Sequence, residues 1–215
     1  AIRVILADDH QLFRQGIRSM LANDAGIEVI GEAASGRSAV ELARQLVPDV
    51  IVMDISMPDL NGIDATRRIK ERSPGIQVLA LSAHADRRFV AHMLAAGASG
   101  YLLKDCALDE LCRAVSAVAK KQVYLTPAVA GEVVHAYLGR AARSAGSKTG
   151  LLTSRQREVL QLLAEGMNTK KTAARMHLSV KTVETHRAQI MKKLGCQSVA
   201  DLTKYAIREG LTTVD

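Results

Sequence analysis

The sequence predicts a doubly wound α/β domain, a five-stranded parallel sheet over residues 1–124, followed by an all-helical domain over residues 151–215. Three observations predict it. Short apolar runs alternate with helix-period segments five times in the first 124 residues, as strands joined by helical crossovers do. Val50-Ile51-Val52-Met53 is apolar at four successive positions, as a strand buried on both faces must be. Beyond residue 150 the alternation stops, and only helix-period segments opened by capping residues follow.

Each element has a local cause. Residues 2–7 form a β-rich run ending at Asp8-Asp9, and residues 10–21 repeat apolar side chains at Leu12, Phe13, Ile17, Met20 and Leu21, a helical period. Residues 27–33 read as the second strand, and 37–46 as a helix with Val40, Leu42, Ala43 and Leu46 inward. Pro48 resets the chain before the central strand at 50–54. The turn formers Pro58 and Asn61-Gly62 then lead to a helix at 63–72, stopped by Ser73-Pro74-Gly75. The fourth strand, 76–81, ends at Ser82. A helix at 89–96 is closed by Gly97, the fifth strand at 100–103 ends at Lys104, and a fifth helix spans 108–120. Such an alternation is flavodoxin-like.

In a parallel sheet the ends of strands one, three, four and five lie on one rim, so Asp8, Asp9, Asp54, Ser82 and Lys104 are expected to meet. Three carboxylates at close range repel one another unless a cation joins them. Mg²⁺ suits one or two carboxylates, water and phosphate oxygens. An acid cluster, a hydroxyl and a lysine together suit a phosphoryl group carried on a carboxylate. His10 reads as the start of the first helix, with a ligand or phosphate-relay role as the alternative.

Residues 125–138 predict a connector helix with Thr126 as cap and Pro127 at its first position. Residues 139–150 are small and polar, a linker composition, so a connector is placed at 125–150. In the last domain, Thr153-Ser154-Arg155-Gln156 is a capping box opening a helix to Leu163. Asn168 caps a short helix at 169–176, and Ser179 caps a longer one that runs to Leu194 and stops at Gly195. A short helix, a tight turn and a longer basic helix make a helix-turn-helix arrangement. On the longer helix Val183, Ile190 and Leu194 fall on one stripe, while Lys181, Thr185, Ala188 and Lys192 share the opposite face, flanked by Glu184 and Arg187. A major groove admits one helix whose exposed face meets base edges. Ala188 and the Thr185 methyl suit a thymine methyl, and Glu184 a cytosine amine. Lys181, Thr182, Arg187 and Lys192 suit phosphates, which fix register without reading sequence.

Charge agrees with this division. Residues 1–124 carry 15 basic and 15 acidic side chains, 125–150 three and one, and 151–215 eleven and six. The basic excess of the last third points to a polyanion such as double-stranded DNA. No apolar run approaches the roughly 18 residues of a membrane span, so no membrane partner is expected. No basic-then-apolar leader appears at Ala1, and three scattered cysteines (Cys106, Cys112, Cys196) make no disulfide framework or zinc site. A reduced, cytoplasmic setting is expected.

With those residues in place, roughly the first 120 resemble the receiver domain of bacterial two-component response regulators. The match rests on Asp8-Asp9, Asp54, Ser82 and Lys104, in that order and at those strand ends. The resemblance implies that Asp54 accepts a phosphoryl group from a sensor histidine kinase. It implies that Asp9, Asp54 and the backbone carbonyl of Ser56 hold Mg²⁺, that Asp8 assists through water, and that Ser82 and Tyr101 form a switch pair, Tyr101 turning inward. Where the family often has proline after the lysine, this chain has Asp105. A cis peptide there costs about 2.5–4 kcal/mol without proline, which leaves the trans form open.

Residues 150–211 are similar to the LuxR-type DNA-binding domain of the NarL/FixJ family. The stretches Leu152-Thr153-Ser154-Arg155-Gln156-Arg157-Glu158-Val159-Leu160 and Leu178-Ser179-Val180-Lys181-Thr182-Val183-Glu184-Thr185-His186 carry the likeness. It implies four helices, the last over 198–209 pairing two copies through Val199, Leu202, Tyr205 and Ala206. Lys170-Lys171-Thr172 departs from a common Lys-Glu-aliphatic pattern and puts a hydroxyl near the core. The implied function is a phosphorylation-switched transcription regulator that forms a homodimer on activation. A phosphate-ester hydrolase is the enzymatic alternative. It fails on pattern, because Asp8 and Asp9 are adjacent and Asp54 is followed by Ile55-Ser56 rather than by an Asp-x-Asp arrangement. The expectation is therefore a regulator and not an enzyme.

Overall fold

The computed structural model describes residues 1–83, 87–106, 108–127, 129–131, 133 and 152–212. The chain divides into two compact units, residues 1–143 and 144–215. The first is the expected doubly wound α/β fold. Its strands are β1 (Ile2–Ala7), β2 (Ile27–Ala33), β3 (Val50–Asp54), β4 (Gln77–Ser82), β5 (Gly100–Leu103) and β6 (Tyr124–Leu125). They pair in parallel in the order β2-β1-β3-β4-β5-β6. The helices are α1 (Gln11–Leu21), α2 (Gly36–Leu46), α3 (Gly62–Arg72), α4 (Arg87–Ala95) and α5 (Leu108–Ala119).

The period-two alternation of the strands builds two cores. Ile5, Ile51, Met53, Val78, Ala80 and Tyr101 face one side, with Ala39 and Ala43 of α2, Ile63 and Ile69 of α3, and Val90 and Met93 of α4. Val4, Leu6, Val50, Val52, Leu79, Leu81 and Leu102 face the other, with Ile17 and Leu21 of α1 and Leu111, Val115 and Val118 of α5. Strand β3 is buried at all five positions because helices cover both faces.

One difference from the expected five strands is β6. Tyr124 and Leu125 pair with Gly100 and Tyr101, so the first residue assigned to the connector is a strand residue. The helical turn after it begins as expected. Thr126 Oγ1 accepts the Val129 N–H at 3.4 Å, and Val129 is fully buried in the core that holds Tyr101. Two residues are too few to show an alternating pattern, which is why β6 leaves no trace in the sequence. The rest of the expected connector helix and the linker at 139–150 lie outside the described residues.

The second unit contains α6 (Ser154–Ala164), α7 (Thr169–Met176), α8 (Val180–Leu194) and α9 (Val199–Arg208). The expected caps are present: Thr153 with Gln156 as a capping box, Asn168 on Lys171 N–H and Ser179 on Thr182 N–H. His177 ends α7 in the left-handed region at φ 54°, with Leu178 N–H reaching back to Ala173 O at 2.9 Å. This is the tight turn of the helix-turn-helix. Val159, Leu160, Val183, Ile190, Leu194 and Leu202 share its core.

Candidate functional site: an acidic pocket at the strand ends and a basic helix

The strand order reverses direction between β1 and β3, and ligands of open α/β sheets bind at the carboxyl ends of strands flanking such a reversal. Asp8 follows β1 and Asp54 ends β3. Ligand atoms of Asp8, Asp9, His10 and Asp54 all lie within 4.8 Å of one another. The Lys104 ammonium sits 2.7 Å from Asp8 Oδ2 and 3.2 Å from Asp54 Oδ2, and 4.7 Å from the centroid of the Phe13 ring. Ser82 closes β4 next to Asp54's register partner Leu81, and its carbonyl accepts the Lys104 N–H at 2.8 Å. The rim residues expected to meet therefore meet, and Ser82 is buried beside them. Ser56 lies two residues beyond Asp54 in the loop, half-buried. The Lys104–Asp105 peptide is trans.

The loop that follows Asp54 is tied down at several points. Ile55 N–H donates to Asp54 Oδ1 at 2.8 Å, and Gly62 N–H donates to Ile55 O at 2.8 Å. A Cβ on Gly62 would lie 1.9 Å from the Asp54 carbonyl oxygen, so only glycine permits this approach. Gly36, first residue of α2, donates to Leu60 O at 3.1 Å, and a Cβ there would meet that oxygen at 2.1 Å. Arg37 Nε reaches Asp59 Oδ2 at 3.0 Å, and Asp59 is held at φ 70°. Arg14 steadies the other wall: its Nη1 donates to Asp8 O at 2.5 Å and its Nε to Glu32 Oε2 at 3.0 Å. Phe13 and Arg14, which touch the cluster, and Glu32, Arg37 and Asp59, which tie its surroundings, carry no motif that announces them in the sequence.

Electrostatics follow from burial. Burial pushes the Asp54 carboxyl above the usual range, with the Asp8 charge adding to it and Lys104 opposing it. Burial on its own lowers the Lys104 ammonium, but Asp8 and Asp54 outweigh it and hold the group charged. Asp8 Oδ2, Asp54 Oδ2 and Asp9 Oδ1 are buried and accept no well-directed hydrogen bond; the Lys104 contacts to the first two are ion pairs of poor hydrogen-bond direction. Under-satisfied carboxylate oxygens facing one hollow are the donor set of a hard divalent cation, so the residues fit Mg²⁺. Tyr101 is fully buried in the sheet's core.

In the second unit, Lys181, Glu184, Thr185, Ala188 and Lys192 of α8 are exposed, and Thr182 and Arg187 are half-buried. Thr185 Oγ1 donates to Lys181 O at 2.9 Å. Thr182 Oγ1 is 2.7 Å from the Ser179 hydroxyl and belongs to the helix cap. Gln156 of α6, which carries no DNA-binding signal in sequence, joins α8 to α6. Its Oε1 accepts from Lys193 Nζ at 2.8 Å and its Nε2 donates to Gln189 Oε1 at 2.9 Å.

The expected pairing residues of α9 need correction. Leu202, Tyr205 and Ala206 are buried within their own domain, packed in the core with Val159 and Ile190, so they are not a surface on which a second copy can rest. Of the four, only Val199 is exposed. The apolar stripe seals the helix to its own domain rather than to a second copy.

Comparison with known proteins agrees with both halves. The sequence profile of the response regulator receiver domain matches residues 4–116, and that of the bacterial regulatory proteins of the luxR family matches residues 150–206. The transcriptional regulatory protein DegU of Brevibacillus brevis is 37% identical over 99% of this chain and 96% of its own length. The oxygen regulatory protein NreC of Staphylococcus carnosus is 35% identical over 98% of this chain and 99% of its own. Among solved structures, the response regulator ChrA of a heme-sensing two-component system aligns with TM-score 0.54 at 33% identity, covering 98% of both chains. RcsB, in a structure of two dimers bound to two parallel DNAs, aligns with TM-score 0.60 at 25% identity over 97% of this chain and 98% of that one. No helix among the described residues is long and apolar enough to cross a membrane. The chain belongs to the transcriptional response regulators in which a receiver domain is followed by a LuxR-type DNA-binding domain.

Proposed function

We propose that Asp54 is the phosphoacceptor of this chain and that its modification controls DNA binding by the second unit. The observation that carries this reading is the approach of one ammonium, Lys104 Nζ, to Asp8 and Asp54 at the strand reversal. A carboxylate oxygen of Asp54 attacks the phosphorus of a kinase phosphohistidine. The P–N bond breaks, its electron pair stays on the histidine nitrogen, and an acyl phosphate forms on Asp54. Asp9, Asp54 and the Ser56 carbonyl would hold Mg²⁺, with Asp8 assisting through water, and the ion would supply positive charge where the phosphoryl group is transferred. Lys104 contributes a second positive charge, and the Ser82 hydroxyl and Tyr101 report the new group to the far side of the sheet. The chain takes part in this transfer as acceptor rather than as an enzyme, and works in the cytoplasm.

The modified form dimerises, and two copies of α8 enter successive major grooves about one DNA turn apart. Lys181, Thr182, Arg187 and Lys192 hold phosphates, while Glu184, Thr185 and Ala188 meet base edges. Two copies of α9 pair through its outer face, where Val199 is exposed and Thr203 and Ile207 follow at helical spacing, both half-buried. The binding of RcsB to DNA as dimers supports a dimeric DNA-bound form. The test is a DNA titration of wild type and Asp54→Asn, each treated with a small acyl phosphate and Mg²⁺. The wild type alone is expected to gain DNA affinity or dimer fraction. An equal response in both proteins would refute the switch.

A further inference from the structure

The acidic pocket holds one side chain that the phosphorylation chemistry does not use. His10 precedes α1 at the N-cap position, yet its side chain makes no capping hydrogen bond. The imidazole turns back instead, and Nδ1 stands 3.2 Å from Asp8 Oδ1 and 3.2 Å from Asp9 Oδ1. Asp8 thus divides its oxygens: Oδ2 faces Lys104, and Oδ1 faces His10, with Nδ1 in hydrogen-bond contact. The backbone of His10 fixes this arrangement, because its N–H donates to Asp8 Oδ1 at 2.8 Å.

We infer that His10 is a ligand of the pocket's cation, and that it turns an oxygen-only site into a carboxylate–imidazole site selective for divalent first-row transition ions over Mg²⁺. The inference rests on the reading of this pocket as a cation site. Two observations carry it beyond that reading. Neighbouring ligands of a six-coordinate ion with bonds of ~2.1 Å lie about 3.0 Å apart, close to the 3.2 Å between Nδ1 and Asp9 Oδ1. Asp9 Oδ1, one of the two oxygens beside Nδ1, is buried with no hydrogen bond of its own, as are Asp8 Oδ2 and Asp54 Oδ2. Ligand atoms of the ring and of the three carboxylates lie within 4.8 Å of one another, so one ion could gather them by replacing the Nδ1–Asp8 Oδ1 hydrogen bond and the Lys104 ion pairs.

Selectivity follows from ligand type. Mg²⁺ takes oxygen donors and keeps its waters, so an imidazole adds little to its binding. Imidazole nitrogen suits the later first-row ions, whose affinity rises from Mn²⁺ towards Ni²⁺. The ring is mostly exposed, so it sits at the mouth of the pocket, where an entering ion meets it first.

The experiment titrates the full chain with MgCl₂ and NiCl₂ by calorimetry in wild type, His10→Ala, His10→Gln and Asp9→Asn. In parallel, electron spin-echo spectra are recorded on bound Mn²⁺. The inference expects a nitrogen coupling on Mn²⁺ in the wild type that is absent from both His10 variants. It also expects a Ni²⁺-to-Mg²⁺ affinity ratio that falls by at least about tenfold in them. A wild type without the coupling, or a smaller fall in the ratio, overturns the inference. Asp9→Asn separates the two levels. If it weakens Mg²⁺ binding while the His10 variants leave the ratio in place, the pocket is a cation site and His10 is not its ligand. If Asp9→Asn has no effect on either ion, the pocket reading and the inference fall together.

Discussion

Thr172 of α7 is fully buried, and its Oγ1 has no hydrogen-bond partner. Thr172→Val removes the hydroxyl and keeps the shape, since both side chains are β-branched with two branches of similar size. Their helix propensities are nearly equal, so the backbone contribution cancels. What remains is the desolvation of an unpaired hydroxyl, about 1–3 kcal/mol. The substitution is therefore expected to stabilise the second unit by that amount. At about 1.4 kcal/mol per tenfold, the protection of α7 and α8 amides against hydrogen exchange should rise roughly 5- to 150-fold, provided they open only with the whole unit. Exchange followed by mass spectrometry on the full chain reads this unit apart from the receiver. Unchanged or reduced protection would refute the reasoning, because it would mean that Thr172 Oγ1 has a partner in solution.

Four further outcomes are expected. Gly62→Ala should lower receiver stability and the rate of Asp54 phosphorylation together, since the added methyl collides with the Asp54 backbone; chemical denaturation and intact mass read the two, and an unchanged protein would contradict the account of this loop. Arg14→Ala should weaken Mg²⁺ binding by roughly tenfold through loss of the hold on Asp8 O, as supporting residues around metal ligands do; calorimetry checks it, and equal affinity would remove Arg14 from the site. Glu32 is held below the usual carboxylate range by its hydrogen bond to Arg18 and then by Arg14, against the opposing effect of burial. A depressed carboxyl contributes stability above its unfolded value of 4.5 and loses it as pH falls through the folded value. The stability gap between wild type and Glu32→Gln should thus be full at pH 7 and close below pH 4.5, and a pH-independent gap would contradict the assignment. Lys192→Ala should weaken binding to all DNA sequences alike and reduce the salt slope by about one; a loss confined to one base position would reassign it to base reading.

Much of this was legible because the informative residues lie where secondary structure ends. A run such as Val50–Met53 announces a buried strand, and the residue that stops it, Asp54, is placed on the rim by topology alone. Asp8, Asp9, Ser82 and Lys104 were found in the same way, and capping residues such as Thr153, Asn168 and Ser179 fixed the helices of the second unit. Supports that act across long sequence separations were not legible. Arg14 meets Glu32 through the pairing of β1 with β2, and Gln156 meets Lys193 through packing of α6 on α8. No periodicity encodes either. The stripe Leu202, Tyr205 and Ala206 was visible but ambiguous, because an apolar helix face looks the same whether its own domain or a second copy covers it. Burial decides for the domain, where desolvation and the nearby Glu209 charge also push the Tyr205 phenol up to about 12.

The central claim is that Asp54 carries the signal. Its most direct test is the intact mass of the full chain after incubation with a small acyl phosphate and Mg²⁺, followed by peptide mapping. The account predicts one added phosphoryl group on residue 54, absent when the ion is chelated before the donor is added and absent from Asp54→Asn. A phosphoryl group on another residue, or none on the wild type, would contradict it.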